Sequence, residues 1–355
     1  MLRISIAAAG LALLAACSQG TAPAPVEAEN VAVKAEEPDA ETLTVYSARN
    51  FASDAAIYEA FEEATGIKVS VREGGAADLM QEMLAEGAGS PADVILAPDA
   101  GALFRFQVEG LTQPVQSDAL EKAVPAQLRE KDGNWFGLTK RYRVIVYDPQ
   151  MLPLEEVDTY SDLAEDRLRG ELCVRSSTNI SNISLLSELI ARRGSEAAEA
   201  WATGVASNFS RPPEGGDTAQ IEAVAAGQCA AALVNHYYWA LLATGTTQER
   251  LTAAKTVVSF PDQDGDGTQV NITGAAVAAT SKSPERAIRF IEFLVSPEGQ
   301  TLLTAESKEY PVVAGVALPE GLDLLPNFKQ GDFPLSDIGA NQQEAQAIFD
   351  RAGWN

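Results

Sequence analysis

The chain is poor in the side chains that most often carry catalysis or hold a transition metal, with one histidine and three cysteines in 355 residues. That supply is too small for an ordinary catalytic or structural zinc site, and a single histidine leaves little room for a Ser/Cys–His apparatus. Any metal must be held mainly by oxygen. No G-x-S-x-G elbow and no G-x-x-x-x-G-K-[ST] loop occurs, so hydrolase and P-loop chemistry lack their signatures. The expectation is a protein that is not an enzyme. Positive charge is also scarce: 26 Lys and Arg against 50 Asp and Glu leave a net charge of −24. That is the wrong sign for a nucleic-acid binder, and it favours a cationic ligand. No stretch approaches the roughly 20 apolar residues that span a bilayer.

What is present is enough for substantial cores: 46% of the residues are hydrophobic, and the length suits two or three domains. Residues 1–20 read as an export signal, with Arg3 as the positive start and residues 4–14 as the apolar segment. The end of that segment, Leu14-Ala15-Ala16-Cys17, resembles a bacterial lipobox, which implies that Cys17 is lipidated and anchors the protein to a membrane. Residues 18–42 are rich in Ala, Pro and Glu without apolar periodicity and read as a disordered tether.

From Leu43 the pattern alternates strand and helix. Residues 43–46, 67–71 and 92–97 have strand character, and residues 54–65 and 78–86 carry apolar side chains at helical spacing. Such alternation predicts a parallel α/β layer. Residues 135–139 and 143–147 form two extended runs separated by Lys140-Arg141-Tyr142, a long continuous extended stretch that suits a crossing between domains. A second α/β set follows: strand 171–175, loop Ser176-Ser177-Thr178-Asn179, a helix through Ile190 and another over 195–207. Residues 229–233 are a short apolar run that reads as a buried parallel strand leading into Asn235-His236-Tyr237-Tyr238-Trp239. Two adjacent phenols thus stand where a strand ends, the place where open α/β sheets gather ligands. Both can reach one ion only where the backbone has turned, because successive residues of an extended strand face opposite ways.

Asp262-Gln263-Asp264-Gly265-Asp266-Gly267 matches the first half of an EF-hand loop, but the position of its bidentate carboxylate is Thr273. An acidic, Gly-rich hairpin turn is the better reading. Cys173 lies in one expected strand and Cys229 just before another. In an exported protein they are either a disulfide or two buried thiols.

Several segments carry a family resemblance: Leu43-Thr44-Val45-Tyr46-Ser47-Ala48-Arg49, Ala64-Thr65-Gly66-Ile67-Lys68-Val69, Ser90-Pro91-Ala92-Asp93-Val94, Gly137-Leu138-Thr139-Lys140-Arg141, Asp217-Thr218-Ala219-Gln220-Ile221-Glu222-Ala223-Val224, Asn235-His236-Tyr237-Tyr238-Trp239 and Glu309-Tyr310-Pro311-Val312. Together they resemble the ferric-iron-binding proteins of bacterial ABC importers. The resemblance implies a two-lobed type II periplasmic binding protein of α/β class, with Fe(III) closed in the cleft and delivered to a permease and an ATPase. It places one lobe at residues 43–142 with 269–318 and the other at 143–268 with 319–355. It also implies a monomer that touches the membrane through its lipid anchor only, and it makes Tyr237 and Tyr238 phenolate ligands.

The chain departs from that family at two positions. Members with more tyrosine ligands carry His-Tyr where this chain has Asn50-Phe51, and a further tyrosine where it has Ser181. To complete the shell, Tyr142, Asp99 and Asn50 are the expected further metal ligands, with Tyr142 equally readable as hinge packing. A synergistic anion such as carbonate is expected on Arg49, Arg141 or the Ser176-Ser177-Thr178 loop. The alternative cargo for the same cleft is an organic cation or an iron chelate.

Overall fold

Three strands alternating with helices begin the described chain, β1 (Thr42–Ser47), β2 (Lys68–Glu73) and β3 (Val94–Ala97). The computed structural model describes residues 42–49, 51 and 53–354. The expected signal, the lipid anchor at Cys17, the tether up to residue 41 and the candidate ligand Asn50 lie outside them, while Thr42 already belongs to β1. β1 pairs in parallel with both β2 and β3. The helix Asp54–Thr65 joins β1 to β2 and stops at Gly66, whose φ of 75° is left-handed, a conformation glycine adopts without a Cβ clash.

The later strands are β4 (Thr112–Gln113), β5 (Phe136–Tyr147), β6 (Leu172–Cys173) and β7 (Ala231–Asn235). After them come β8 (Val257–Ser259), β9 (Val270–Ala278) and β10 (Tyr310–Pro311). β5 decides the architecture. The sequence predicts a long continuous extended stretch through Lys140-Arg141-Tyr142, and β5 is indeed one strand of 12 residues, which changes partner along its length. Phe136 to Tyr142 run antiparallel to β9, and Arg143 to Tyr147 run antiparallel to β7 and β8. One sheet therefore has the order β2-β1-β3-β9-β5, with β10 on β5 and β4 on β9, and continues through β5 to β7 and β6. The run expected to be a parallel strand is antiparallel to β5 and parallel only to β6.

Two apolar clusters are buried, the larger of which spans residues on both sides of the β5 partner change. Phe61, Phe106, Trp135 and Phe290 are buried in the first. Ile145, Leu186, Trp201, Phe349 and Trp354 are buried in the second, each large apolar side chain contributing about 1.5–3 kcal/mol. Cys173 and Cys229 form a disulfide with their Cα atoms 5.9 Å apart. By the chain-entropy argument, closing a loop with a sequence separation of 56 stabilises the fold by about 4 kcal/mol. The acidic segment before β9 is a turn closed by its own backbone: Gly265 and Gly267 both donate to Asp262 O, at 3.0 and 2.9 Å. Its Asp262 and Asp266 face Arg193 and Arg192, respectively.

Candidate metal centre

β7 ends at Asn235, whose backbone N–H donates to Asp217 Oδ1 at 2.9 Å. The helix His236–Thr244 begins at the next residue, so Tyr237 and Tyr238 occupy a helical first turn. Helical neighbours diverge by only about 100°, and the two rings stand with centroids 4.4 Å apart at 35°. Tyr237 is buried and Tyr238 partly open. The Tyr237 hydroxyl accepts from Asn235 Nδ2 at 3.2 Å, and the same amide donates to Ser181 Oγ at 3.2 Å. Ser181, where the resemblance would place a further phenolate, thus supports the amide that supports Tyr237.

Two guanidinium groups flank the pair. Burial pushes the Tyr237 phenol well above its ordinary range, and Arg141 works against that push. Arg141, on β5, donates through Nη2 to Ile272 O at 2.9 Å and Thr273 Oγ1 at 2.8 Å, and its Nε lies 3.5 Å from Glu309 Oε1. Burial alone would raise the Glu309 carboxyl, but Arg141 and Arg49 outweigh it and hold the group below its ordinary range. Arg175, just past β6, donates through Nη1 to Asp217 Oδ2 at 2.6 Å. Burial opposes its charge, Asp217 more than offsets that, and Tyr238 and Tyr237 add to the stabilisation. Asp217 is fully buried and also takes Arg143 Nη1 at 2.7 Å.

The remaining expected residues divide clearly. Ser176, Ser177 and Thr178 lie between Arg175, which acts electrostatically on the pair, and Ser181, which accepts from the Asn235 amide that supports Tyr237. Ser176 Oγ and Thr178 Oγ1 are 2.8 Å apart, and Asn182 Nδ2 pins the loop by donating to Arg175 O and Ser176 O. The structure does not bring Tyr142 to the pair. It follows Arg141 on the same strand and so points to the opposite face. There its hydroxyl donates to Gln330 Oε1 at 2.7 Å, and its ring meets Phe328 and Tyr310 at 4.6 and 5.3 Å. Asp99 is likewise spent, as the N-cap of the helix Ala100–Val108. Its Oδ1 accepts from Gly101 N, and its Oδ2 from Ser184 Oγ and Asn271 Nδ2, at 2.7, 2.9 and 2.7 Å. Arg49 is committed to Asp54 and Leu303 O and covers the Phe51 ring at 4.6 Å. Among the described residues, no cluster of three or more His, Cys, Asp or Glu side chains is placed to hold a metal.

Residues 47–301 match the family model of the bacterial extracellular solute-binding proteins. The chain belongs to that family. It is a carrier that works outside the cytoplasm, not an enzyme. Iron uptake protein A1 of Synechocystis is 43% identical over 313 residues, 88% of this chain and 87% of that protein. The major ferric iron-binding protein of Neisseria meningitidis serogroup B is 27% identical over 91% of this chain and 96% of that protein. A Trichodesmium structure in complex with iron and citrate superposes with a TM-score of 0.85 at 42% identity, covering 88% of this chain and all of that one. A ferric binding protein from Campylobacter jejuni gives a TM-score of 0.83 at 37% identity, with 88% and 100% covered. The fold is therefore that of the type II periplasmic binding proteins, with a cleft between two lobes. Within this solute-binding protein, sequence reasoning missed Arg175, Asp217 and Asn235. The local signals were an arginine at a strand's C-terminal end ahead of a hydroxyl-rich loop, and the place of Asp217 and Asn235 in two of the segments that carry the family resemblance.

Proposed function

We propose that this protein binds Fe(III) as cargo in the interlobe cleft through the phenolates of Tyr237 and Tyr238 and delivers it to the permease and ATPase of an ABC importer. The observation that carries the reading is the phenol pair, 4.4 Å between centroids, within the electrostatic influence of Arg141 and Arg175. A hard trivalent cation favours anionic oxygen and drives off phenol protons that otherwise leave near about pH 10. Two phenolates do not neutralise it, and Asp217 is shared between Arg143 and Arg175, which leaves positive charge near the pair for a further anion. The remaining positions are filled by a small synergistic anion such as carbonate, and by water. Arg175, Arg141 and the Ser176-Ser177-Thr178 loop are the groups that face such an anion, since guanidinium matches planar oxyanions bidentately. The relatives' names, for iron and ferric iron, support the metal over an organic cation.

The lobe limits stay as 43–142 with 269–318 and 143–268 with 319–355, supported by the partner change of β5 after Tyr142 and the entry into β9 at Val270. The protein is a monomer, lipid-anchored at Cys17. Adding ferric citrate to the full-length protein in weak buffer tests the ferric reading: a visible phenolate-to-iron band grows in with the release of about two protons per iron. A colourless titration without proton release refutes it. Because protons compete for the phenolates, affinity falls as pH falls.

A further inference from the structure

Beside the phenol pair stands the chain's one histidine, fully buried. We infer that His236 is a positioning residue that locks the phenol pair to the strand crossing through one fixed neutral tautomer, and that it does not ligate the cargo. The inference rests on the reading of Tyr237 and Tyr238 as ligands, and it begins with the backbone of Tyr142.

Tyr142 is the last residue of β5 paired with β9, and Arg143 is the first paired with β7. The amide of Tyr142 therefore falls between two ladders, and an unpaired buried amide costs about 1–3 kcal/mol. His236 Nδ1 accepts it at 3.1 Å. A backbone amide can only donate, so Nδ1 carries no proton. The other ring nitrogen, Nε2, lies 3.2 Å from Lys308 O. A carbonyl can only accept, so Nε2 carries the proton. A neutral imidazole has one donor and one acceptor, and both are now used. The nitrogen that sequence proximity puts next to the tyrosines has no lone pair left for a metal.

The same ring joins three segments. It opens the helix that carries Tyr237, at 5.7 Å between ring centroids. It holds the residue at which β5 passes from one set of strands to the other. It also holds Lys308, whose φ of 55° is left-handed and uncommon for a residue with a side chain. The next residue is Glu309, the carboxylate that faces Arg141 and Arg49. A change of angle at the crossing thus reaches the phenols and the Glu309–Arg141 pair through one rigid ring.

The test uses full-length protein without a polyhistidine tag, as wild type, His236→Phe and His236→Gln. Ferric citrate titration reads affinity and the absorption maximum per bound iron, and thermal melting of the iron-free forms reads stability. Nitrogen-15 spectra of the lone histidine read its tautomer. The expected result is Nε2 protonation in the wild type, and binding in His236→Phe weaker by about tenfold or more with a displaced absorption maximum at saturation. His236→Gln, which keeps a donor and an acceptor, falls between. A His236→Phe protein that melts lower but keeps the wild-type affinity and absorption maximum reduces His236 to packing and overturns the role. A signal from Nδ1–H overturns the tether even if His236→Phe fails to fold, and leaves the ferric reading intact. A wild type that forms no coloured ferric complex overturns the ferric reading and the positioning role together.

Discussion

Tyr237 and Tyr142 both keep almost no exposed surface, 8% and 2%, and burial pushes both phenols upward. Their surroundings differ in kind. The Tyr237 oxygen receives a hydrogen bond from Asn235 Nδ2 and feels the charge of Arg141, while the Tyr142 hydroxyl gives its proton to Gln330 Oε1 inside a ring of aromatics. One oxygen is already an acceptor beside positive charge, prepared to become an anion. The other is a donor with no cation to stabilise its deprotonated form. Adjacent positions on one strand produce the contrast, because Arg141 and Tyr142 face opposite sides of β5. Burial alone does not make a tyrosine a ligand; the charge and hydrogen-bond polarity around it do.

The sharpest way to break this comparison is the Tyr237→Phe/Tyr238→Phe double variant. It should lose the visible ferric band and at least about a hundredfold in affinity, while melting near the wild type, because anionic oxygen is what a hard cation needs. Retained colour would remove the pair from the site. Glu188 tests the same principle on a carboxylate: its Oε1 takes Arg192 Nε at 2.8 Å, but its Oε2 is buried without a partner. Burial outweighs Arg192 and raises its pKa to about 7. The folded state therefore holds this proton more tightly than the unfolded chain does. That contribution to stability is full below the ordinary carboxyl range and is lost as pH rises through about 7. Glu188→Gln, neutral throughout, should flatten the fall in melting temperature between about pH 5 and pH 8, a difference of about 2 kcal/mol.

Arg175→Gln, which removes one of the two cations beside the pair, should weaken ferric binding by about tenfold. It should also reduce the dependence on added carbonate, followed by the same absorbance titration. The smallest effect is expected from Tyr142→Phe. It loses the hydrogen bond to Gln330, about 1 kcal/mol of stability, and leaves iron affinity and colour unchanged. A loss of iron affinity in this variant would return Tyr142 to the ligand set and dissolve the contrast between the two faces.

Much of the fold was legible because its signals are local. The helix Ser195–Ser207 has the limits that its apolar spacing predicts, and the phenols stand directly after an apolar strand, as the run before them suggested. Asp99 was misjudged despite a local signal, since an aspartate ahead of a helix is the N-cap pattern and its oxygens are spent on that helix, Ser184 and Asn271. The extended stretch through Lys140-Arg141-Tyr142 was legible as continuous, but its partners were not. Nothing local shows that a strand can exchange β9 for β7 and β8 without leaving the extended conformation.

The sequence by itself determined the donor chemistry of the site. With one histidine and few cysteines, any metal has to be held mainly by oxygen, and the two neighbouring tyrosines come together where the backbone turns into a helix. Only the tertiary structure decided which charges meet those phenols. Arg141, Arg175, Asp217 and Glu309 come from distant parts of the chain, and ion pairing depends on distances that sequence spacing does not encode. It also decided which face of β5 each residue takes, and with that, which buried tyrosine stands beside positive charge and which is packed away from it.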